Sequence, residues 1–208
     1  MLIEKIDREG FQQRLVLLQK EIENDPKVNL KIPERLIAAD PMIVELHNSL
    51  TEPGHYVNEG LVSKRTGQLD VAVSPANVSR ALCFLDTLVK AWKARGHGIA
   101  LRNDESYATY QKEEILIKVR EKSKRVQGKG DSYSRKQPTG LLYFKAGFFQ
   151  QREWIDGKLR LEEQLLKILT WLEVMGQLEG EERVARERRN AIKQQEAVSV
   201  QVLVQAKK

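Results

Sequence analysis

The most regular hydrophobic pattern of the chain lies between residues 75 and 95. Apolar side chains recur there every three or four positions over five turns, at Val78, Ala81, Leu82, Leu85, Leu88, Val89 and Trp92. This spacing predicts an amphipathic helix, and Gly96 stands where a left-handed residue would end it. Residues 69 to 73 (LDVAV) follow the alternation of a strand, so we expect a strand that leads into this helix.

Two further apolar stripes predict helices near the two ends of the chain. The first stripe consists of Phe11, Leu15, Leu18 and Ile22. The second consists of Leu161, Leu165, Ile168 or Leu169, Leu172 and Met175. It predicts a helix over residues 158 to 175, with Asp156 as a candidate cap for its first turn. Asp40 followed by Pro41 predicts one more helix, which extends through Leu50.

Sheet-forming segments occupy the region between these helices. Three short segments follow one another at residues 98–103, 106–111 and 114–121, and their linkers are short enough for hairpins. A further apolar segment, LLYFKAGFF at 141–149, predicts another strand, and REWIDGK after it predicts a turn. We therefore expect an α+β fold, in which an antiparallel sheet of four or five strands is packed by two helices, with helical extensions at both termini.

These elements divide the chain into three predicted parts. Residues 1–66 form a helical appendage and connector, residues 67–180 form the α+β domain, and residues 181–208 form a charged helix and a valine-rich tail. The valines of the tail alternate at Val198, Val200, Val202 and Val204, which is a strand-like pattern with no neighbouring strand in the sequence. The tail could add to a sheet edge, pair with another chain or stay frayed.

The net charge of the chain is concentrated in residues 118–136, which we call the basic segment. This segment holds eight Lys and Arg residues against two acids, so its net charge of +6 equals that of the whole chain. Lys118 and Arg120 belong to the last predicted strand, and the glycines and serines of residues 122–138 predict a mobile loop. A solvated charge run is the common fate of such a segment, but a single basic patch also favours a polyanion.

Several kinds of chemistry find little support in the sequence. The three histidines lack metal-ligand spacing, and Cys83 lies on the apolar face of a helix, so we expect neither a metal site nor a nucleophile. No phosphate-binding glycine motif is present, and we expect no cofactor. The residues MLIEKIDREG at the start of the chain lack the apolar run of a signal peptide, and no apolar stretch is long enough for a membrane span. We therefore expect a cytoplasmic protein without membrane contact.

One catalytic alternative stays open. The predicted order of helix and strands is superficially similar to metal-dependent nuclease cores, with Asp104, Glu114 and Lys118 in the roles of acids and lysine. Such a site needs carboxylates that converge on a divalent cation. Asp104 falls in a predicted turn, and Glu114 and Lys118 are four residues apart where that arrangement usually has a spacing of two. A nuclease-like enzyme is therefore the lesser alternative.

Four strings of the sequence also carry a resemblance to a known family. They are DVAVSPANVSRALCFLDTLVKAWKARGH, IKVREKSKR, PTGLLYFKAG and REWIDGKLRLEEQL. Together they resemble the carboxy-terminal region of a family of uncharacterised bacterial proteins, many of them on mobile elements. Longer members of that family resemble DNA-binding proteins at their amino termini, where they have a helix-turn-helix-like segment. The resemblance covers roughly residues 33–180 and implies an association with nucleic acid, but it implies no catalytic residue.

The sequence thus predicts a non-catalytic, nucleic-acid-associated accessory protein, with DNA favoured over RNA. The residues predicted to contact nucleic acid are Lys118, Arg120, Lys122, Lys124, Arg125, Lys129, Tyr133, Arg135 and Lys136. The basic residues would contact phosphates, and Tyr133 could stack on a base. The main alternative is a protein-interaction or self-association module that acts through residues 181–208.

Overall fold

The computed structural model describes residues 8–55, 57–127, 134–148 and 151–205, without the side chains of Arg8, Ser134 and 198–205. Within this part of the chain the helices are α1 (Arg8–Asn24), α2 (Pro41–Thr51), α3 (Val78–Ala94) and α4 (Leu165–Gln205). The strands are β1 (Val57–Asn58), β2 (Leu61–Ser63), β3 (Val71–Val73), β4 (Gly98–Arg102), β5 (Glu105–Tyr110), β6 (Glu113–Gln127), β7 (Ser134–Ala146) and β8 (Arg152–Ile155). The fold is α+β, as predicted.

The sheet is larger than predicted and is mixed. Its strands follow the order β1-β2-β3-β6-β5-β4, and β7 and β8 continue from β6. All pairs are antiparallel except β3 with β6, which is parallel and joins Val71 to Val119. The expectation of four or five antiparallel strands was therefore wrong in detail. The reason is the length of β6, because β5 and β3 follow one another along one of its edges while β7 occupies the other.

Helices α3 and α4 cover one face of this sheet. All apolar residues of the stripe predicted for α3 are buried, and so are the six residues of the stripe predicted for α4. A 3-10 turn at Pro75–Asn77 leads into α3. Gly96 follows the helix with a φ of 83°, which is the left-handed conformation that the sequence predicts.

Residues before the predicted domain boundary at 66 pack into the same core. Helix α1 lies against α4, and α2 lies against α3. Six of their side chains belong to the single buried cluster: Phe11, Leu18, Ile22, Ile43, Leu46 and Leu50. Asp40 accepts a hydrogen bond from the amide of Met42 and caps α2, as predicted. Strands β1 and β2 add the connector to the sheet.

One prediction for the second half of the chain was wrong, and one segment that the sequence left unplaced is helical. Residues 152–155, predicted as part of a turn, form β8 and pair with β7. The valine-rich tail continues α4 as a helix through Gln205, so residues 198–204 do not form a strand. Helix α4 therefore crosses the predicted boundary at residue 181 without a break.

Helix α4 passes the start of β6 at an acidic pair, Glu179 and Glu113, and this pair makes the stability of the protein depend on pH. Burial, together with the charge of Glu113, raises the pKa of Glu179 to about 7 from its ordinary value of 4.5. The folded protein therefore binds a proton there more tightly than the unfolded chain, so the free energy of unfolding falls as the pH rises between these two values.

We expect Glu179→Gln to raise the free energy of unfolding at pH 8 and to leave it unchanged at pH 4. The gain should be on the order of 1–2 kcal/mol, a value reduced for the partial solvent access of the carboxylate. Urea unfolding at both pH values measures this difference. Glu196→Gln, an exposed substitution on the same helix, serves as the control. An equal effect of Glu179→Gln at both pH values would contradict the prediction.

Candidate nucleic-acid interface

The described residues of the basic segment beyond Glu121 form a two-stranded ribbon where a mobile loop was predicted. Strands β6 and β7 stay paired from Ser123 with Pro138 to Gln127 with Ser134. We call residues 122–127 and 134–139 the arm. The described side chains of the arm are exposed apart from Lys122 and Pro138, which are half-buried. The arm contains five basic residues and no acid, so its charge is carried by a regular strand pair.

The register of the arm places basic side chains on both of its faces. Arg125 lies directly opposite Lys136, so these two share one face. Lys124 pairs with Gln137, and Arg135 lies on the same face one step further along the ribbon. Neighbouring residues of a strand point to opposite faces. Arg125 and Lys136 therefore project from one face of the arm, and Lys124 and Arg135 project from the other.

A buried carboxylate fixes the base of the arm. Glu121 accepts hydrogen bonds from the amide of Ser74 at 2.7 Å and from the amide of Gly140 at 2.8 Å. Burial raises the pKa of Glu121, but these bonds and one from Asn77 outweigh it and hold the pKa below its ordinary value. The pairing register shifts between Glu121 and Ser123. The arm therefore begins at an irregularity that is held in place by an ionised glutamate.

Lys118 and Arg120, two of the residues predicted to contact nucleic acid, lie in the sheet and are paired with acids. Arg120 binds the carboxylate of Asp70, which is buried. The Nζ atom of Lys118 lies 3.3 Å from Glu105 and 3.7 Å from the same aspartate. These two cations are therefore compensated within the fold, which leaves them less free to bind a phosphate.

Two cations of the arm have single acidic neighbours. Lys122 lies 3.2 Å from Glu153 and above the ring of Tyr143, at 4.3 Å from its centroid. Lys136 lies 3.0 Å from Glu59. Both pairs are solvent-accessible, and such pairs contribute little free energy. Either lysine can exchange its carboxylate for a phosphate at small cost.

The other three basic residues of the arm are Lys124, Arg125 and Arg135. All three are exposed, and within the described ranges none has an acidic oxygen within 4.0 Å of its side-chain nitrogen. The predicted contacts Lys129 and Tyr133 lie outside the described residues. The nine predicted residues thus divide into a compensated pair in the sheet, five residues in the arm and two without a structural account.

The nuclease alternative does not gain support from the geometry. Asp104 and Lys118 line one surface depression, but Glu114 does not belong to its lining and pairs with Arg102 instead. Asp104 pairs with Lys64, and Lys118 pairs with Glu105. Among the residues with assigned positions, no group of three or more His, Cys, Asp or Glu side chains is placed to hold a metal ion.

Sequence reasoning missed two neighbours of the arm. Tyr143 and Lys145 lie on β7 directly opposite Arg120 and Lys118, on the sheet face away from the core. Their alternation with the buried Leu142 and Phe144 was a usable signal, because period-two alternation marks a half-exposed strand. The ring of Tyr143 lies under Lys122, and Nζ of Lys145 lies 4.0 Å from Glu153.

Comparison of the chain with protein-family models, with curated proteins and with solved structures found no match. The resemblance to the mobile-element family therefore stays a prediction. None of the described helices has the length and apolar character that crossing a membrane requires.

Proposed function

We propose that this chain is a nucleic-acid-binding accessory protein that contacts phosphates through the arm. The observation that carries the proposal is the charge of Lys124, Arg125 and Arg135 on an exposed strand pair, where none of them has an acidic partner among the described residues. Basic side chains that release condensed counterions from a nucleic acid gain affinity without reading its sequence. Contact of this kind positions a protein on a polyanion but does not select a sequence.

The cross-strand pair of Arg125 and Lys136 adds support. Like charges directly opposite each other destabilise a strand pair, and Glu59 compensates only the lysine. A row of phosphates beside this pair would remove the repulsion. The arrangement of like charges in the arm is therefore unfavourable in the free protein and favourable in a complex with a polyanion.

The alternative of self-association through residues 181–208 has less support. In residues 181–197 two basic side chains pair with acids of the same helix, Arg183 with Glu187 and Arg189 with Glu182. Such pairs are typical of a solvated helix. Val184 and Ile192 are 37% and 55% exposed there, but scattered exposed apolar residues are ordinary on a protein surface.

The triple variant K124Q/R125Q/R135Q tests the proposal. We expect its affinity for nucleic acid at low salt to fall by roughly 100-fold, and the slope of log affinity against log salt to decrease by about 2 to 3, because three phosphate contacts are lost. Fluorescence anisotropy with labelled DNA and RNA across a salt series measures both quantities.

The matched control is K112Q/K167Q/K193Q, which removes the same charge from exposed lysines outside the arm. It should bind nearly as well as the unmutated protein. If both variants lost the same affinity, general charge and not the arm would be responsible. Absence of binding by the unmutated protein at low salt would end the proposal.

A further inference from the structure

The turn between β1 and β2 lies against the arm and places an acid beside one of its cations. We infer that this turn is an autoinhibitory contact, in which Glu59 occupies Lys136 and has to be displaced by nucleic acid. The inference rests on the proposed function, because it concerns how one cation of the arm becomes available for a phosphate. It is carried by the conformation of the turn, by its contact with the arm and by the charges that it brings together.

The β1–β2 turn holds a glutamate in an uncommon backbone conformation. Asn58 pairs with Leu61, so Glu59 and Gly60 are the two residues that connect the strands. Both have positive φ angles, 49° and 80°, as in the type I′ turn that two-residue hairpins favour. Glycine, asparagine and aspartate adopt this conformation readily, whereas a longer side chain rarely does. The chemistry of the turn alone therefore does not account for a glutamate at this position.

The turn approaches the arm closely enough to require glycine. A Cβ atom on Gly60 would lie 2.9 Å from Cδ and 3.0 Å from Cγ of Pro138. Pro138 pairs with Ser123 at the base of the arm, and its ring is closed onto its own backbone, so it cannot rotate away. Residues two apart on a strand share a face. The turn therefore lies on the face of the arm that carries Arg125 and Lys136.

On this face the turn compensates one of two opposed cations. The carboxylate of Glu59 lies 3.0 Å from Nζ of Lys136, and Arg125 lies directly opposite this lysine. Glu59 thus reduces the repulsion between the two cations in the free protein, as a phosphate would in the complex. The side chains of Glu59 and Lys136 are 46% and 53% exposed, so a polyanion can replace this ion pair at a small cost in free energy. The contact therefore lowers affinity without preventing binding.

Glu59→Gln tests the competition. It keeps the shape of the side chain and removes its charge, so we expect the affinity for labelled DNA and RNA at low salt to rise about two- to fivefold, the contribution of one exposed ion pair. In a K136Q background the gain should be smaller, because the cation that Glu59 occupies is absent. Glu23→Gln removes the same charge from an exposed position of α1 and should have little effect. Fluorescence anisotropy measures each affinity.

Gly60→Ala tests the contact of the turn without a change of charge. The added methyl group has to move the turn away from Pro138, so Lys136 should be released and affinity should rise as it does for Glu59→Gln. Gly54→Ala is the matched control, because Gly54 also has a positive φ, 82°, but no described atom lies within 4 Å of a Cβ there. It should bind like the unmutated protein.

Three results separate this inference from the proposed function. Unchanged affinity of either Glu59→Gln or Gly60→Ala, together with binding by the unmutated protein, would overturn the inference and leave phosphate contact intact. An equal gain from Glu59→Gln in the K136Q background would also overturn it, because Glu59 would then act by general repulsion of the polyanion. Absence of binding by all of these proteins would contradict the proposed function itself.

Discussion

Replacing Gly176 by alanine is expected to destabilise the protein by about 3 kcal/mol, because the new methyl group would overlap a side chain of the sheet. A Cβ atom at this position would lie 2.5 Å from both Cβ and Cγ of Tyr110. The Cβ atom of Tyr110 is bonded to the backbone of β5, so it cannot move aside as the end of a flexible side chain would. Helix α4 would have to shift away from the strand.

Gly180, one turn further along the same helix, provides the matched control. The nearest atoms to a Cβ there belong to Glu113 at 3.8 Å, which is ordinary van der Waals contact. Gly180→Ala should therefore stabilise the helix by about 0.5–1 kcal/mol through its better helix propensity. Urea unfolding of both variants measures the difference. Similar effects at the two positions would show that Tyr110 does not limit the approach of α4.

Asp156→Ala is expected to have a comparable or larger effect. The two carboxylate oxygens of Asp156 accept hydrogen bonds at 2.7 and 2.8 Å from the guanidinium of Arg80. They also accept bonds from the backbone amides of Leu142 and Leu161. One side chain thus joins α3, β7 and the 3-10 turn Leu161–Gln164 that precedes α4. The sequence predicted its role at the start of this helix, but not its contact with Arg80.

Removing this carboxylate leaves two amides and one side of a guanidinium without partners, and we expect a loss of about 3–5 kcal/mol. Burial raises the pKa of Asp156, but the bonds from Arg80 and the two amides outweigh it and lower the pKa. The stabilisation is therefore present above the ordinary pKa of an aspartate and is lost as the pH falls through the lower value of the folded state.

The difference in unfolding free energy between Asp156→Ala and the unmutated protein should thus shrink in acid. Chemical unfolding at neutral pH and at successively lower pH measures this. Glu162→Ala is the control, because Glu162 also binds Arg80 but its side chain is 23% exposed, against 7% for Asp156. Its cost should be about 1 kcal/mol. An equal cost for both variants would contradict the central role of Asp156.

The sequence was sufficient for elements whose burial follows a regular period. Helix α3 has one fully apolar face, and the strand before it alternates, so both were predicted to within a few residues. Strands β4 to β6 were found because short turns separate them, and Asn103 and Asp104 in the first turn both have positive φ. Local patterns of this kind need no knowledge of the remaining chain.

The arm was not predictable in this way, because its strands are exposed on both faces. Residues 122–127 have no alternation of apolar and polar side chains, and their glycine- and serine-rich surroundings favour a loop. Their strand conformation comes from the ladder with β7, whose first residue is Ser134. The parallel pairing of β3 with β6 was equally hidden, since it joins segments far apart in the sequence.

In the tail a local pattern was present but did not decide the structure. Alternating valines favour a strand, yet residues 198–204 continue α4. A valine in a helix costs only about a few tenths of a kcal/mol of helix stability relative to a good helix former. Extending an existing helix adds one hydrogen bond per residue without a new nucleus. A helix that is already anchored over the sheet can therefore include such residues.

For the candidate site, the sequence identified the basic residues but not their compensation. Asp70 neutralises Arg120 and approaches Lys118, although it lies about 50 residues earlier in the chain. Only the pairing of β3 with β6 brings these charges together. Which described cations of the basic segment lack an acidic partner is therefore decided by the fold, and not by the local charge count.

The arm also has a consequence for how copies of this protein meet. Beyond Arg120, no described strand pairs with β6 on the side opposite β7, so the arm presents free backbone donors and acceptors. An unpaired strand edge can pair with a strand of another molecule and cause aggregation, and charged side chains such as lysine on the edge commonly prevent this. Electrostatic repulsion between arms would thus keep molecules apart in the absence of a polyanion. Several copies bound to one polyanion would have their arms neutralised, and their strand edges could then pair.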